Sequence, residues 1–455
     1  MSKLKIKSQT SKVFKTSRFA KNKKSNPVIC VNCNQIISMF FLYNIIMQFA
    51  GFLIKIPALF SPKIKLFIDG RKNIYDILQS KINPNDKTIW FHAASLGEYE
   101  QGLPVMEKIK EKFPNHKIVL TFFSPSGYEV RKNNSVADVT VYLPLDTKNN
   151  AKKFIKLVHP EMVLFIKYEF WVNYLNELKK ANIKTYLISG IFRENQAFFK
   201  WYGGFYRNAL HSFDYFFVQN ESSKKLLQNL GFQNIKISGD TRFDRVVTIL
   251  ERDNSLDFIE KFKNNKTTIV AGSTWQKDEE LLVNFINQSD GNTKFIIAPH
   301  NIKPDQIANL KSSINKKTIL FSEISPDYQN EKPIDCQVFI IDTIGILTKI
   351  YSYADIAYVG GGFGTGLHNI LEPATFGVPV VIGAEFSQFA EAVALVNLQG
   401  CISVKNQNEL NETFSNLIFN EDIRHEKGHI CETFVQMNKG ATNVILEHIL
   451  EFYLI

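Results

Sequence analysis

Thr88–Ser124 reads TIWFHAASLGEYEQGLPVMEKIKEKFPNHKIVLTFFS. Two runs dense in β-branched and aromatic residues, TIWFH and HKIVLTFFS, flank EYEQGLPVMEKIKEKF, whose apolar spacing is helical, and this alternation specifies parallel strands covered by helices. Outward from there the same rhythm continues through VTVYLP, MVLFIK, KTYLISG, YFFVQ and IKISG, with helical stretches such as ESSKKLLQNLGF between them. A charged segment, DRVVTILERDNSLDFIEKFKNNK, follows, and the alternation restarts with TTIVAGST, KFIIAPH, KTILFS, QVFIID, IAYVGGG and VPVVIG. The pattern predicts an α/β protein of two tandem doubly wound, Rossmann-like domains. Their expected bounds are 61–245 and 267–455, the second including terminal helices, with an interdomain segment at 246–266. Ligands of open α/β sheets bind beyond the carboxyl ends of the strands, so the main site is expected in the cleft where the two domains face each other.

The chain's 455 residues, 45% hydrophobic and 22% charged, suit two or three folded domains and exclude a disordered chain or a polytopic membrane protein. Five cysteines without a regular framework predict a reducing, intracellular compartment. The net charge of +10 is local. Residues 1–25 carry nine basic side chains and no acid, which leaves 45 basic against 44 acidic groups in the rest. A neutral body with a basic tail argues against a nucleic-acid binder and suits an anionic lipid surface. Ser25–Ile54 contains no charge, and from Met39 it reads MFFLYNIIMQFAGFLI. Residues 1–38 are therefore read as a basic extension and 39–60 as a membrane anchor, borderline in length for a spanning helix. Asn44, Gln48 and Lys55, four and seven apart, predict a helix lying in the interface. A secretory signal is the rival reading, but no small-residue cleavage site follows. The lone CVNC at Cys30–Cys33 has neither a second pair nor a nearby His and is read as incidental.

Four loops after strands carry candidate chemistry. HAASLGEYEQ (His92–Gln101) can bring Glu98 into the cleft as a proton acceptor, or Glu98 can simply be a favourable first-turn charge. In KYEFWVN, Glu169 beside Trp171 suits an anchor for a sugar or amine, against the alternative of an exposed helix-start carboxylate. In GDTRFDRV, Arg242 can neutralise a phosphate or carboxylate across the cleft, against an ordinary pair with Asp240 or Asp244. VGGGFGTGLHNILEPATFGVPVVIG (Val359–Gly383) holds five glycines between Gly360 and Gly366, which permit close approach to a phosphate, with Asn369 facing it and Glu372 placed for ribose hydroxyls. The spacing matches neither a nicotinamide fingerprint nor a P-loop, and His368 is not expected to act as a base.

In order along the chain, HAASLGE, Phe170-Trp171 after Glu169, GDTRFD, Ala298-Pro299-His300, DTIGILTKIYSYADIAYVGG and GLHNILEPA resemble the motifs of the 3-deoxy-D-manno-octulosonic acid (Kdo) transferases of lipopolysaccharide assembly. The resemblance runs from about Met39 to the end. It implies a glycosyltransferase fold of the B type with an amino-terminal membrane anchor, and an inverting transfer of Kdo from CMP-Kdo to a lipid A precursor, lipid IVA. It also implies no cofactor and no metal in the site, and a place at the inner membrane with the catalytic domains on its cytoplasmic side. Carried over, Glu98 is implied as proton acceptor and Glu169 and Arg242 as transition-state stabilisers. CMP is implied to rest on Pro299 and His300, on Gly345, Ile346 and Leu347, and on Asn369, Ile370, Leu371 and Glu372. The strand-end motif departs from the family, which often has Arg between its Pro and His, and Arg242 stands where Lys is usual. Two other readings remain open from the residues: a B-type transferase using a UDP-sugar, and a catalytically silent, membrane-tethered protein that binds nucleotide or lipid.

Overall fold

The computed structural model describes residues 33–324 and 335–453; the basic tail and Cys30 lie outside them. The first alternation folds as β1 (Lys87–Ala93), β2 (His116–Phe122), β3 (Val139–Tyr142), β4 (Pro160–Ile166), β5 (Lys184–Gly190), β6 (Tyr215–Val218) and β7 (Ile235–Ile237). They form one parallel sheet in the order β3-β2-β1-β4-β5-β6-β7. The second folds as β8 (Thr268–Thr274), β9 (Lys294–Pro299), β10 (Thr318–Leu320), β11 (Val338–Ile340), β12 (Ile356–Val359), β13 (Val380–Gly383) and β14 (Cys401–Val404). That sheet is also parallel, in the order β10-β11-β9-β8-β12-β13-β14. Central strands are buried on both faces and read as continuous apolar runs, which is why they were legible. The edge strand β14, CISV, has buried ends and a half-buried Ile402-Ser403 centre, and is too short and mixed to announce itself.

Each sheet has an apolar core on either face. One core of the first sheet also contains Ile445, Leu446 and Ile449. These belong to the last helix, Ala441–Tyr453, which leaves the second domain and covers the first. Asp244 anchors the crossing, its carboxylate accepting from the backbone N–H of Gly440 at 2.5 Å and of Thr442 at 2.8 Å. A boundary of 267–455 therefore does not follow the packing. Amphipathic spacing says that a helix has an apolar face and not which sheet receives it.

The anchor is a helix over Cys33–Leu53. Ser38–Leu59, mean hydropathy 1.7, is the one stretch among the described residues long and apolar enough to cross a membrane. Of the residues expected to form a polar stripe, Gln48 is exposed, Asn44 donates to Phe40 O at 2.8 Å, and Lys55 lies beyond the helix end. Phe41, Phe49 and Phe52 are more than 60% exposed, whereas Met39, Phe40 and Tyr43 pack on the first domain, with the Tyr43 ring tilted against Phe205 at 5.4 Å between centres. The Tyr43 hydroxyl donates to Asp146 Oδ2 at 2.6 Å. Asp146 is fully buried and also accepts from the N–H groups of Asn173 and Tyr174. Burial pushes its carboxyl up to about 6 against these hydrogen bonds.

Candidate functional site

In the first sheet the strand order reverses between β1 and β4, and in the second between β8 and β12. Crevices open at the carboxyl ends of such pairs, and the candidate residues collect there. Glu98 follows β1 in the first turn of the helix Leu96–Lys112, only 7% exposed. The Ser95 hydroxyl, which in an ordinary helix start would cap a backbone N–H, donates instead to Glu98 Oε2. Lys167 follows β4, and its Nζ stands 4.0 Å from Glu98 Oε1. Glu98 is thus a held, buried carboxylate rather than a solvated helix-start charge.

Glu169 lies two residues beyond Lys167. Its Oε2 accepts from Trp171 Nε1 at 2.9 Å and lies 3.4 Å from His92 Nε2, while the same indole N–H reaches His92 Nε2 at 2.8 Å. An indole nitrogen only donates, so the bonding assigns the imidazole proton to Nδ1, which donates to Thr121 Oγ1 at 2.8 Å. Trp90 Nε1 donates to the same hydroxyl, which passes its own proton toward Phe91 O. Glu169 and His92 thus share the Trp171 indole N–H, and from His92 the donors run on through Thr121 to Phe91 O.

Arg242 opens the helix Thr241–Leu250, N-capped by Asp240. Its guanidinium meets Glu391 through two bonds of 2.7 and 3.2 Å and Asp240 Oδ2 through Nε at 2.9 Å. Glu391 begins the helix Ala390–Asn397 of the second domain, so this fork spans the two domains. Burial opposes the Arg242 charge, but Asp240 and Glu391 outweigh it and hold the guanidinium more firmly protonated than usual. Burial likewise works against the Asp240 carboxylate, and the adjacent Arg242 still keeps it below its ordinary range. In this arrangement Arg242 already has two carboxylates as partners.

The second sheet's crevice is neutral and aromatic. Trp275, directly after β8, stacks on His300 with ring centres 4.5 Å apart, and His368 lies 4.6 Å from His300. Trp275 Nε1 donates to His368 Nε2 at 3.0 Å. Burial and the neighbouring His300 push the His368 imidazole down to about 4, and burial lowers His300 too, so both rings are uncharged at neutral pH. Pro299 ends β9 beside a cavity of about 620 Å³ between the helices Gln276–Gln288 and Pro304–Ser313. Trp275 was not singled out from the sequence; its place after TTIVAGST, at the start of a helix, is the signal that could have found it.

Gly345, at φ +99, turns the chain into Ile346 and the short helix that Leu347 begins. Thr348 Oγ1 donates to Glu372 Oε2 at 2.7 Å and Asn369 Nδ2 to Oε1 at 3.0 Å, which joins the Gly345–Leu347 turn to the Asn369–Glu372 turn. Burial raises the Glu372 carboxyl, and these two donors oppose the rise. Ile370 and Leu371 are core residues, and the Leu371 N–H is taken by Asn369 Oδ1 at 3.2 Å. The glycines divide by use. A Cβ on Gly360, Gly361 or Gly362 would strike backbone of Ser273, Gly366 or Gly383 at 2.1–2.7 Å, so these three serve the protein's own packing. The Gly361 N–H is held by Asp278 Oδ2 at 2.9 Å. Gly366, at φ +100, has no atom within 4 Å of an added Cβ, which leaves it open to a ligand. Among the described residues no group of three or more His, Cys, Asp or Glu side chains is placed to hold a metal ion.

Residues 70–245 match the sequence model of a family described as 3-deoxy-D-manno-octulosonic-acid transferase (kdotransferase). The chain is 28% identical to the 3-deoxy-D-manno-octulosonic acid transferase of Chlamydia trachomatis serovar A over 80% of its own length and 86% of that protein's. To the enzyme of the same name from Rickettsia prowazekii it is 26% identical, over 72% of each. Among solved structures, the UDP-GlcNAc 2-epimerase of Neisseria meningitidis superposes with a TM-score of 0.57 at 15% identity, covering 80% of this chain and 100% of that one. MurG of Acinetobacter baumannii gives 0.51 at 15%, covering 80% and 99%. The structures establish the fold, two facing α/β domains of the glycosyltransferase B type. The resemblance drawn from the six motifs is shown by the sequence matches, and with it the activity class, a glycosyltransferase.

Proposed function

We propose that this glycosyltransferase, a relative of the Kdo transferases, moves Kdo from CMP-Kdo to a lipid A precursor, lipid IVA, at the cytoplasmic face of the inner membrane. The observation that carries the reading is Glu98: a buried carboxylate at the reversal point of the first sheet, held by Ser95 and Lys167 inside the segment that matches the family. A hydroxyl of the acceptor gives its proton to Glu98 as its oxygen bonds to the ketosidic carbon of Kdo; the bond from that carbon to the CMP phosphate breaks, and CMP leaves with the electron pair. General base catalysis of this kind contributes a factor of about 100 to 10,000. Attack opposite the leaving group inverts the centre.

CMP rests in the second crevice. Its base meets the uncharged rings of His300 and Trp275 beside Pro299, its ribose hydroxyls face Glu372 and Asn369, and its phosphate lies over the open Gly366 and the Gly345–Leu347 turn. Glu169, fixed by Trp171, orients the sugar as an acceptor of hydrogen bonds. Arg242 can face the phosphate only after its fork to Glu391 opens; until then it fastens one domain to the other. The exposed apolar face of the anchor holds the cleft at the lipid surface, where an embedded acceptor is concentrated. Incubation with CMP-Kdo and lipid IVA is expected to release CMP and raise the lipid's mass by whole Kdo units. No product of that mass, or stronger competition by UDP than by CMP, overturns the assignment.

A further inference from the structure

Lys167 is set in an unusual way. Its backbone lies at φ 72, a left-handed conformation that side-chain-bearing residues adopt only where the surroundings fix them. The fixing bond is its own N–H, which donates to Ile188 O on β5 at 2.9 Å. The side chain is thereby sent into the crevice beside Glu98, with 27% of its surface exposed. Among the described residues its ammonium makes no hydrogen bond to the protein; Glu98 stands at 4.0 Å, an ion pair without a hydrogen bond. Burial lowers the Lys167 pKa against the pull of Glu98, and Arg242 and Arg193 push in the same direction as burial. Arg193, just after β5, is exposed and has no ion pair among the described residues. The Lys167 ammonium, with Glu98 at 4.0 Å and the Tyr168 ring at 5.1 Å, keeps its N–H donors unspent, and the Arg193 guanidinium, whose charge it feels, follows the adjacent strand; both cations stand at carboxyl ends with donors left for an anion.

We propose that Lys167 and Arg193 form an oxyanion subsite, which takes a phosphate monoester or carboxylate group of a substrate and so sets how the reacting hydroxyl meets Glu98. This rests on the Kdo-transfer reading for the identity of the substrates. The anion can come from a phosphate on the lipid acceptor or from the carboxylate of the transferred sugar. In either case Lys167 lies between that anion and the Glu98 carboxylate and screens their repulsion.

The test uses the full chain with Lys167→Met, Lys167→Arg and the surface change Arg193→Gln, each checked for an unchanged thermal midpoint. Losing a charge-assisted bond to an anion is expected to raise one KM by about tenfold in Lys167→Met, with Lys167→Arg largely restoring it and Arg193→Gln raising it about threefold. If a dephosphorylated acceptor abolishes the difference between Lys167→Met and the parent, the anion is the acceptor phosphate; if the KM that moves is that for CMP-Kdo, it is the sugar carboxylate. Both KM values within about twofold of the parent, with only turnover lowered, overturn the subsite. Absence of any Kdo-bearing product from the parent protein overturns the functional reading alone. The subsite is then judged by titration with inorganic phosphate: affinity lost in Lys167→Met supports it, and equal affinity in both proteins overturns it.

Discussion

The two crevices are built from the same topology and opposite chemistry. At the reversal point of the first sheet stand two pairs of ionisable side chains, Glu98 with Lys167 and Asp240 with Arg242. At the corresponding point of the second sheet, Trp275, His300 and His368 form an uncharged stack, and the carboxyl of Glu372 is pushed toward its neutral form. A site that moves a proton and meets lipid anions needs fixed charges, because preorganised charges in a partly buried cleft cost no reorganisation during reaction. A site that holds a pyrimidine nucleotide needs flat rings and a few acceptors, and a protonated imidazole there would repel nothing useful and cost desolvation. Strand order puts a crevice in each half; the side chains decide what each crevice can do.

Substitution at Glu98 separates the halves most sharply. Glu98→Gln keeps size and most hydrogen bonding but cannot take a proton, so turnover should fall by about 100-fold to 10,000-fold while CMP affinity stays unchanged. Retention of more than about a tenth of the activity would end the proton-acceptor role. Within the charged half, two buried carboxylates are handled oppositely, Asp240 with a cation and Asp146 without one. Asp146 binds its proton more tightly in the folded state, at about 6 against its ordinary 3.8. Its contribution to stability is therefore complete below pH 3.8 and is lost as the pH rises through 6, a change on the order of 3 kcal/mol. Chemical denaturation between pH 4 and 7 should show this decline in the parent and not in Asp146→Asn, and parallel profiles would refute it.

In the neutral half, Glu372→Ala removes the group that gathers Thr348 and Asn369, and CMP binding should weaken by about tenfold, read by calorimetry. Unchanged CMP affinity in a folded variant moves the nucleotide elsewhere. The smallest effect is expected at the junction with the anchor. Tyr43→Phe removes the one side-chain donor to the Asp146 carboxyl and should cost about 1 kcal/mol in denaturant unfolding. No loss of stability would mean that the anchor is only tethered to the first domain and not packed into it.

Much of this was legible in the sequence because it is written in local periodicity. Thirteen of the fourteen strands, the order of the two domains, the uncharged anchor and the placement of Glu98, Glu169, Arg242 and Glu372 just beyond strand ends, in a connection or in the first turn of the next helix, all follow from runs of side chains whose spacing matches one element. Partnerships were not legible, since they join residues far apart in the chain. Arg242 finds Glu391 because the helix Thr241–Leu250 after β7 meets the second domain's Ala390–Asn397 helix, and Lys167 meets Glu98 because β1 and β4 are neighbours despite two intervening strands. Only the tertiary structure could assign Gly360–Gly362 to internal packing and leave Gly366 open, or send Ala441–Tyr453 back over the first sheet. The physical reason is the same in each case: sequence spacing fixes the direction in which a side chain leaves its own element, and the strand order and packing of the whole chain decide what stands there to receive it.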